Sequence, residues 1–286
     1  MAVRLMFDSG SDVPYSRAKE KGWVYLPMTV TFGSEQFRDG IDIDTKTFFD
    51  KLIESDELPS TSQISPADFE EAIEKAHSEG DVPLIITISS KLSGTYQSAV
   101  IAAESAGGEV YVVDSLNATL GEAILIEEAG RLIDSGVPAA KIKEHLDAIK
   151  HRIRLLAVLG TLEYLKKGGR ISSAVAMAGS LLQIKPVVSV EDGEIKLVGK
   201  ARGSKNGNNL LAQLVMGSSG IDFEKPYSLA YSGTDRSLLD KYVDDSRYLW
   251  EGHTENLPVI SLGATIGTHV GPGAIAVAFF EKDKKD

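Results

Sequence analysis

The first half of the chain alternates short apolar runs with stretches whose apolar residues recur at helical spacing. Val3 to Phe7 reads as a strand that ends at Asp8-Ser9-Gly10-Ser11-Asp12, and Val24 to Phe32 as a second extended run interrupted by Pro27. Asp44 to Ser55 predicts a helix with Phe48, Phe49, Leu52 and Ile53 on one face. Ser65-Pro66-Ala67-Asp68 is a strong helix start, with a capping serine, proline in the first turn and an acid after it. That helix runs to about Ser78 and stops at Gly80. Next come a strand over Leu84 to Ile88, a helix after Gly94, a strand over Val110 to Val113 and a helix from about Thr119 to Ile133. Strands alternating with helices point to a mainly parallel sheet covered by helices.

The second half has a different rhythm. Arg154 to Leu159 predicts a strand, Thr161 to Lys167 a short helix stopped by Gly168-Gly169, and Ser172 to Leu182 another helix. Pro186 to Val190 and Glu194 to Val198 read as strands joined across Asp192-Gly193, the strongest short hairpin signal. A helix from about Lys205 to Met216, a strand over Tyr227 to Tyr231, a helix over Asp235 to Leu249, and strands over Pro258 to Leu262 and Ala274 to Phe280 complete the chain. The expected fold class is therefore α/β with two domains. Residues 1–150 form an N-terminal domain with a mainly parallel sheet, and 151–286 a C-terminal α+β domain with a mixed or antiparallel sheet. The segment 57–82 is free to pack with either.

Composition narrows the function. With 286 residues, 43% hydrophobic and 25% charged, the chain is of ordinary globular make-up. Its formal charge of -11 disfavours nucleic acid, which needs a basic surface. Zero cysteines exclude disulfides, thiolate catalysis and zinc sites that use sulfur. No apolar run approaches the roughly 20 residues of a membrane span. The start, Met1 to Asp8, turns polar too soon for a signal peptide, so a cytoplasmic location is expected.

Common catalytic motifs are missing: there is no G-x-S-x-G elbow, no phosphate-binding G-x-x-x-x-G-K-[ST] loop and no H-E-x-x-H pair. What remains is a set of polar loops at strand ends. In Ile85 to Ala99 a β-branched run stops at Ser89-Ser90-Lys91-Leu92-Ser93-Gly94-Thr95 and a helix follows, which gathers hydroxyls and helix N–H groups suited to a carboxylate or a phosphate. A helix start with its usual hydroxyls explains the same residues, so both readings stand. Capping accounts for Ser65 but not for Thr61 and Ser62 upstream of it. Lys166-Lys167-Gly168-Gly169 is ordinary helix-end chemistry, whereas Arg170 just beyond the chain reversal is not. Lys200-Ala201-Arg202-Gly203-Ser204-Lys205 leaves a strand and enters a helix, where its cations suit phosphate or merely face water. His269, amid Gly267, Gly271 and Gly273, has no evident apolar face and is read as functional, while His77, His145, His151 and His253 are read as surface residues.

Taken together, Asp8-Ser9, Thr61-Ser62-Gln63, Ser89 to Ala99, Asp114-Ser115, Leu165 to Ser172, Ile184-Lys185-Pro186, Lys200-Ala201-Arg202-Gly203 and His269-Val270-Gly271-Pro272-Gly273 resemble the DegV family along the whole chain. The resemblance implies a two-domain protein that holds one long-chain fatty acid between its domains, with no cofactor and no metal. It further implies a partner, a separate fatty acid kinase subunit that phosphorylates the bound carboxylate to an acyl phosphate. By position in the family's motifs, Thr61 and Ser93 would hold the carboxylate with Arg170 in support, and Arg202 and His269 would assist phosphoryl transfer. On this reading the chain alone is no enzyme. Two alternatives remain open: a hydrolase or transferase using Ser89, Ser93 or Thr95 with His269 as base, and a sensor of a small polar ligand.

Overall fold

The computed structural model describes residues 2–172 and 183–283. The helix expected over Ser172 to Leu182 falls, beyond Ser172, outside the described residues.

Val3–Asp8 forms β1, and β2 (Val24–Leu26) lies parallel to it. Pro27 then ends the pairing. The run read as one extended segment is two strands in two sheets, because β3 (Thr29–Phe32) leaves the parallel sheet and pairs antiparallel with β4 (Glu35–Arg38). Gly33 makes that turn at φ 56, where a side chain would be strained. β5 (Ser60–Ser62) closes this small sheet on the other side of β3. The remaining strands of the first half, β6 (Val82–Thr87) and β7 (Tyr111–Asp114), complete a four-stranded parallel sheet in the order β2-β1-β6-β7. β6 is buried at every residue, as expected of a strand covered on both faces.

In the second half β8 (Ile153–Val158), β9 (Ile184–Glu191), β10 (Glu194–Arg202), β11 (Tyr227–Tyr231), β12 (Val259–Ser261) and β13 (Ile275–Phe280) build a six-stranded mixed sheet, ordered β10-β9-β8-β13-β11-β12. The Asp192-Gly193 hairpin joins β9 to β10 with both turn residues at positive φ, 50 and 84. Only β11 and β12 run parallel in this sheet.

Helices cap as their sequences direct. Ser65 and Asp68 form a reciprocal capping box on Pro66–Ser78, and Asp44 caps Thr45–Glu54 through the Thr47 N–H. Three helices lie outside those expected from the sequence: Tyr15–Lys21, Ala139–Ile149 and Ala264–Val270. The sixteen-residue helix Thr119–Asp134 is buried at eleven positions because both large sheets pack against it. The main apolar core is continuous through it, joining Leu5, Phe7 and Ile85 of the parallel sheet to Leu155, Ala276 and Ala278 of the mixed one. No helix among the described residues is long and apolar enough to cross a membrane.

A period of two divides the mixed sheet between jobs. On β13, Ile275, Val277 and Phe279 pack under the outer helices Gly203–Met216 and Ser237–Asp245, in a second core with Leu156, Val158 and Leu211. The alternate positions face inward and are small, Ala276 and Ala278, with Ala157 opposite Ala276 on β8. Small side chains on the inner face leave room.

Candidate functional site

That room is a cavity of about 400 Å³ between the mixed sheet and the loops at the carboxyl ends of the parallel strands. Its floor includes Leu155, Ala157, Val188, Val190, Ala274 and Ala276, and most of its surface is apolar. The rest of the wall comes from Ile88 to Gly94 after β6, from β5 and its neighbour Gln63, and from the helix Ala264–Val270. A crevice beyond the carboxyl ends of parallel strands is the usual ligand position in such sheets.

Four of the five residues singled out from the sequence line this cavity: Thr61, Ser93, Arg170 and His269. Thr61 Oγ1 lies 2.9 Å from His269 Nε2 although 208 residues separate them. His269 sits in the last turn of Ala264–Val270, and this corrects the expectation that it lacks packing. The face of this helix at Gly267 lies so close to Phe48 and Phe49 that a Cβ would fall 2.5 Å from the Phe48 ring. Gly168 in turn abuts the imidazole, since a Cβ there would lie 2.3 Å from Nδ1. Burial first, and the positive charge of Arg170 second, push the His269 pKa down to about 4, so the ring is neutral at pH 7. Nδ1 has no hydrogen-bond partner among the described residues.

Arg170 is half-buried. Its guanidinium donates to the Leu92 and Gly168 carbonyls, and it has no carboxylate partner among the described residues. Burial alone lowers its pKa, and it stays charged. Ser93 Oγ is 2.9 Å from Thr95 Oγ1 and also accepts the Thr95 N–H. The N-cap Gly94 brings no side chain to the helix Thr95–Ala106, and with the Thr95 N–H taken by Ser93 Oγ the N–H groups of Tyr96 and Gln97 are the ones left open to an anion. A Cβ at Gly94 would fall 1.9 Å from Gln63 Oε1, so a side chain here would displace the Gln63 amide. Gln63 also donates to Ser98 Oγ at 2.9 Å and so ties the Thr61 strand to this helix.

Arg202 is placed elsewhere. It ends β10, is exposed and does not line the cavity. The pairing assumed by the hydrolase alternative is not formed, because His269 faces Thr61, Ser89 Oγ donates to the Gly193 carbonyl, and Ser93 and Thr95 bond to each other. Of the histidines read as surface residues, His151 and His253 are exposed. His77 and His145 are partly buried instead, against the Glu109 carbonyl and the Glu128 carboxylate. Among the described residues no cluster of histidine and acid side chains is arranged to hold a metal ion.

The sequence reading missed two features. The inward alanines were hidden in ordinary strand composition, and only their alternation with larger residues marks them. The other is a group of buried acids, Asp8, Asp12, Asp39 and Glu122. Asp8 accepts the N–H groups of Gly10 and Ile88, both at 2.8 Å. Burial raises all four, Asp8 to about 7 and Asp12 to about 8. Both Glu122 oxygens lack a partner among the described residues, and burial first, with the nearby Asp8 and Asp12, pushes this carboxyl well above the usual carboxylate range. Nearby Thr119, a β-branched residue at φ 46, lines the cavity in a strained conformation.

Comparison with known proteins gives the same picture throughout the chain. The family model described as "Uncharacterised protein, DegV family" matches residues 2–282. A DegV domain-containing protein of Caldanaerobacter subterraneus is 34% identical over 284 residues, covering 98% of this chain and 99% of the relative. A DegV family protein of Thermus thermophilus, solved for its fatty acid binding, superimposes with a TM-score of 0.87 at 32% identity, covering 99% of this chain and all of that one. A DegV family protein of Eubacterium eligens, solved loaded with heptadecanoic acid, has a TM-score of 0.82 at 25% identity and covers 98% of this chain and 100% of its own. This chain belongs to the DegV family.

Proposed function

We propose that the protein binds one long-chain fatty acid, with the acyl chain in the cavity and the carboxylate at the end formed by Thr61, Ser93 and Arg170. The observation that carries this reading is Arg170, a half-buried cation with no carboxylate partner among the described residues, placed at an otherwise largely apolar cavity. A carboxylate supplies the missing charge, and each buried methylene adds roughly 0.8 kcal/mol. With Nε2–H of His269 donating to Thr61 Oγ1, the Thr61 hydroxyl is free to donate to the ligand. The fatty-acid-binding relatives support the same ligand class.

The finer reading is a carrier that presents the carboxylate to a separate fatty acid kinase in the cytoplasm, with residues 1–150 and 151–286 as its two domains. The resemblance to the family supports it, and the chain by itself is then no enzyme. Arg202 would engage the transferring phosphoryl group from outside the cavity, and His269, whose one N–H goes to Thr61, would assist the transfer by orienting the Thr61 hydroxyl. Extraction of the purified protein with organic solvent and mass spectrometry tests the first part. A bound or exchangeable fatty acid is expected, and the absence of both native lipid and oleate uptake overturns it. Phosphorylation of bound oleate by added kinase and ATP, lost in Arg202→Ala, tests the second.

A further inference from the structure

Ala264–Val270 is too short to be stable alone, and Gly267 in its middle weakens it further. What holds it are acids from the other half of the chain. Asp39 Oδ1 accepts the Ala264 N–H at 3.0 Å and Oδ2 accepts the Thr265 N–H at 2.9 Å. Asp12 Oδ1 accepts the preceding Gly263 N–H at 2.7 Å. Three consecutive backbone donors are thus held by two carboxyl groups more than 200 residues away in sequence.

Two oxygens of one carboxylate on two adjacent amides fix the rotation of a helix as well as its position. A serine cap, with one acceptor, would leave the rotation free. Asp39 is itself held: the Tyr25 hydroxyl donates to its carbonyl at 3.0 Å, and Gly40 is packed so tightly on Tyr25 that a Cβ would lie 2.6 Å from Oη. Thr265 and His269 are one turn apart, and both line the cavity. A change in rotation at Thr265 therefore moves the imidazole away from Thr61.

We propose that Asp39, seconded by Asp12, is the positioning residue of the headgroup site: it sets the rotation of the helix Ala264–Val270 and thereby the contact of His269 with Thr61. The inference rests on the fatty-acid reading only for its choice of ligand. The test is Asp39→Asn in the full chain, read in two ways. One is the ratio of oleate to methyl oleate affinity, which isolates the headgroup from the acyl chain. The other is the titration of the His269 ring followed by nitrogen NMR.

Asp39→Asn is expected to lower the affinity ratio about tenfold, with methyl oleate binding unchanged, and to move the His269 titration toward that of an ordinary histidine. Combining it with His269→Ala should cause no further loss in the ratio, as for two residues acting in one unit. A lower melting temperature with the ratio and the titration as in the parent protein would overturn the proposal. If Asp39→Asn does not fold, Asp12→Ala is judged by the same two measurements and should change them in the same direction by about threefold. If the parent protein binds no oleate, the fatty-acid reading fails, and the His269 titration alone decides on Asp39.

Discussion

Two buried polar groups lie at opposite ends of the helix Ala264–Val270, and they are satisfied in opposite ways. At its N-terminus Asp12 Oδ1 and both Asp39 oxygens accept the backbone N–H groups of Gly263, Ala264 and Thr265. At its C-terminus His269 pairs with Thr61, Ser93 with Thr95 and Arg170 with carbonyls, which leaves a cation, hydroxyls and helix N–H groups without an anion. The first end has acceptor oxygens for its backbone donors, and the second has donors without an acceptor. A protein organises the first kind of group to hold its own chain, and the second to receive a ligand.

Blocking the cavity should have the largest effect. Ala157→Phe fills the inner face of the mixed sheet, and excluding about four methylenes costs ~3 kcal/mol, or about 200-fold in oleate affinity by calorimetry. Decanoate should bind as before. Equal losses for both acids would break the division between acyl and headgroup regions. Next, Thr61→Val keeps the shape of the wall and removes the hydroxyl. Oleate should weaken about 20-fold and methyl oleate hardly at all, since a bond to a charged group is worth ~1.5–3 kcal/mol.

The acid end makes a prediction of its own. Asp8 and Asp12 have folded-state pKa values of about 7 and 8 against an ordinary 3.8, so their contribution to stability is present at low pH and lost as pH rises through those values. His269 acts in the other direction: its value near 4 against an ordinary 6.5 removes stability only as pH falls below 6.5. Between pH 6.5 and 8 the acids act alone. Stability in urea should fall over this window, and Asp12→Asn should remove about 1–2 kcal/mol of the fall. A stability that rises across the window would contradict the buried state of the acids. The smallest effect is expected from Arg202→Ala, which should leave oleate affinity within about twofold because an exposed residue outside the cavity contributes little.

Local signals made much of the fold readable. The capping box at Ser65, the Asp192-Gly193 turn and the apolar run of β6 each act within a few residues, and the structure follows them. Signals that act at a distance did not show. Pro27 reads as an interruption in one strand, yet Met28 turns away because its N–H is accepted by Ser9 Oγ in the loop after β1. Ala264–Val270 was hidden because glycine at 263, 267 and 271 argues against a helix, and the carboxylates that overrule this lie at Asp12 and Asp39. Ala139–Ile149 differs, since Ile142, Leu146 and Ile149 carry helical spacing on their own.

At the site, residue types were legible and their partners were not. Thr61, Ser93, Arg170 and His269 stood out as polar residues unexplained by capping or turns. Nothing local told that Thr61 meets His269, or that Gly168 makes space for the imidazole. Arg202 lies apart from the other four, a separation that motif order along a chain does not reveal.

The helix Thr119–Asp134 has a consequence for how the molecule comes apart. Its flanks are buried against both large sheets, and one apolar cluster runs through it from Leu5 to Phe280. Neither half can melt without stripping cover from the other. Heating should therefore give a single calorimetric transition, with the heat absorbed equal to the van't Hoff value.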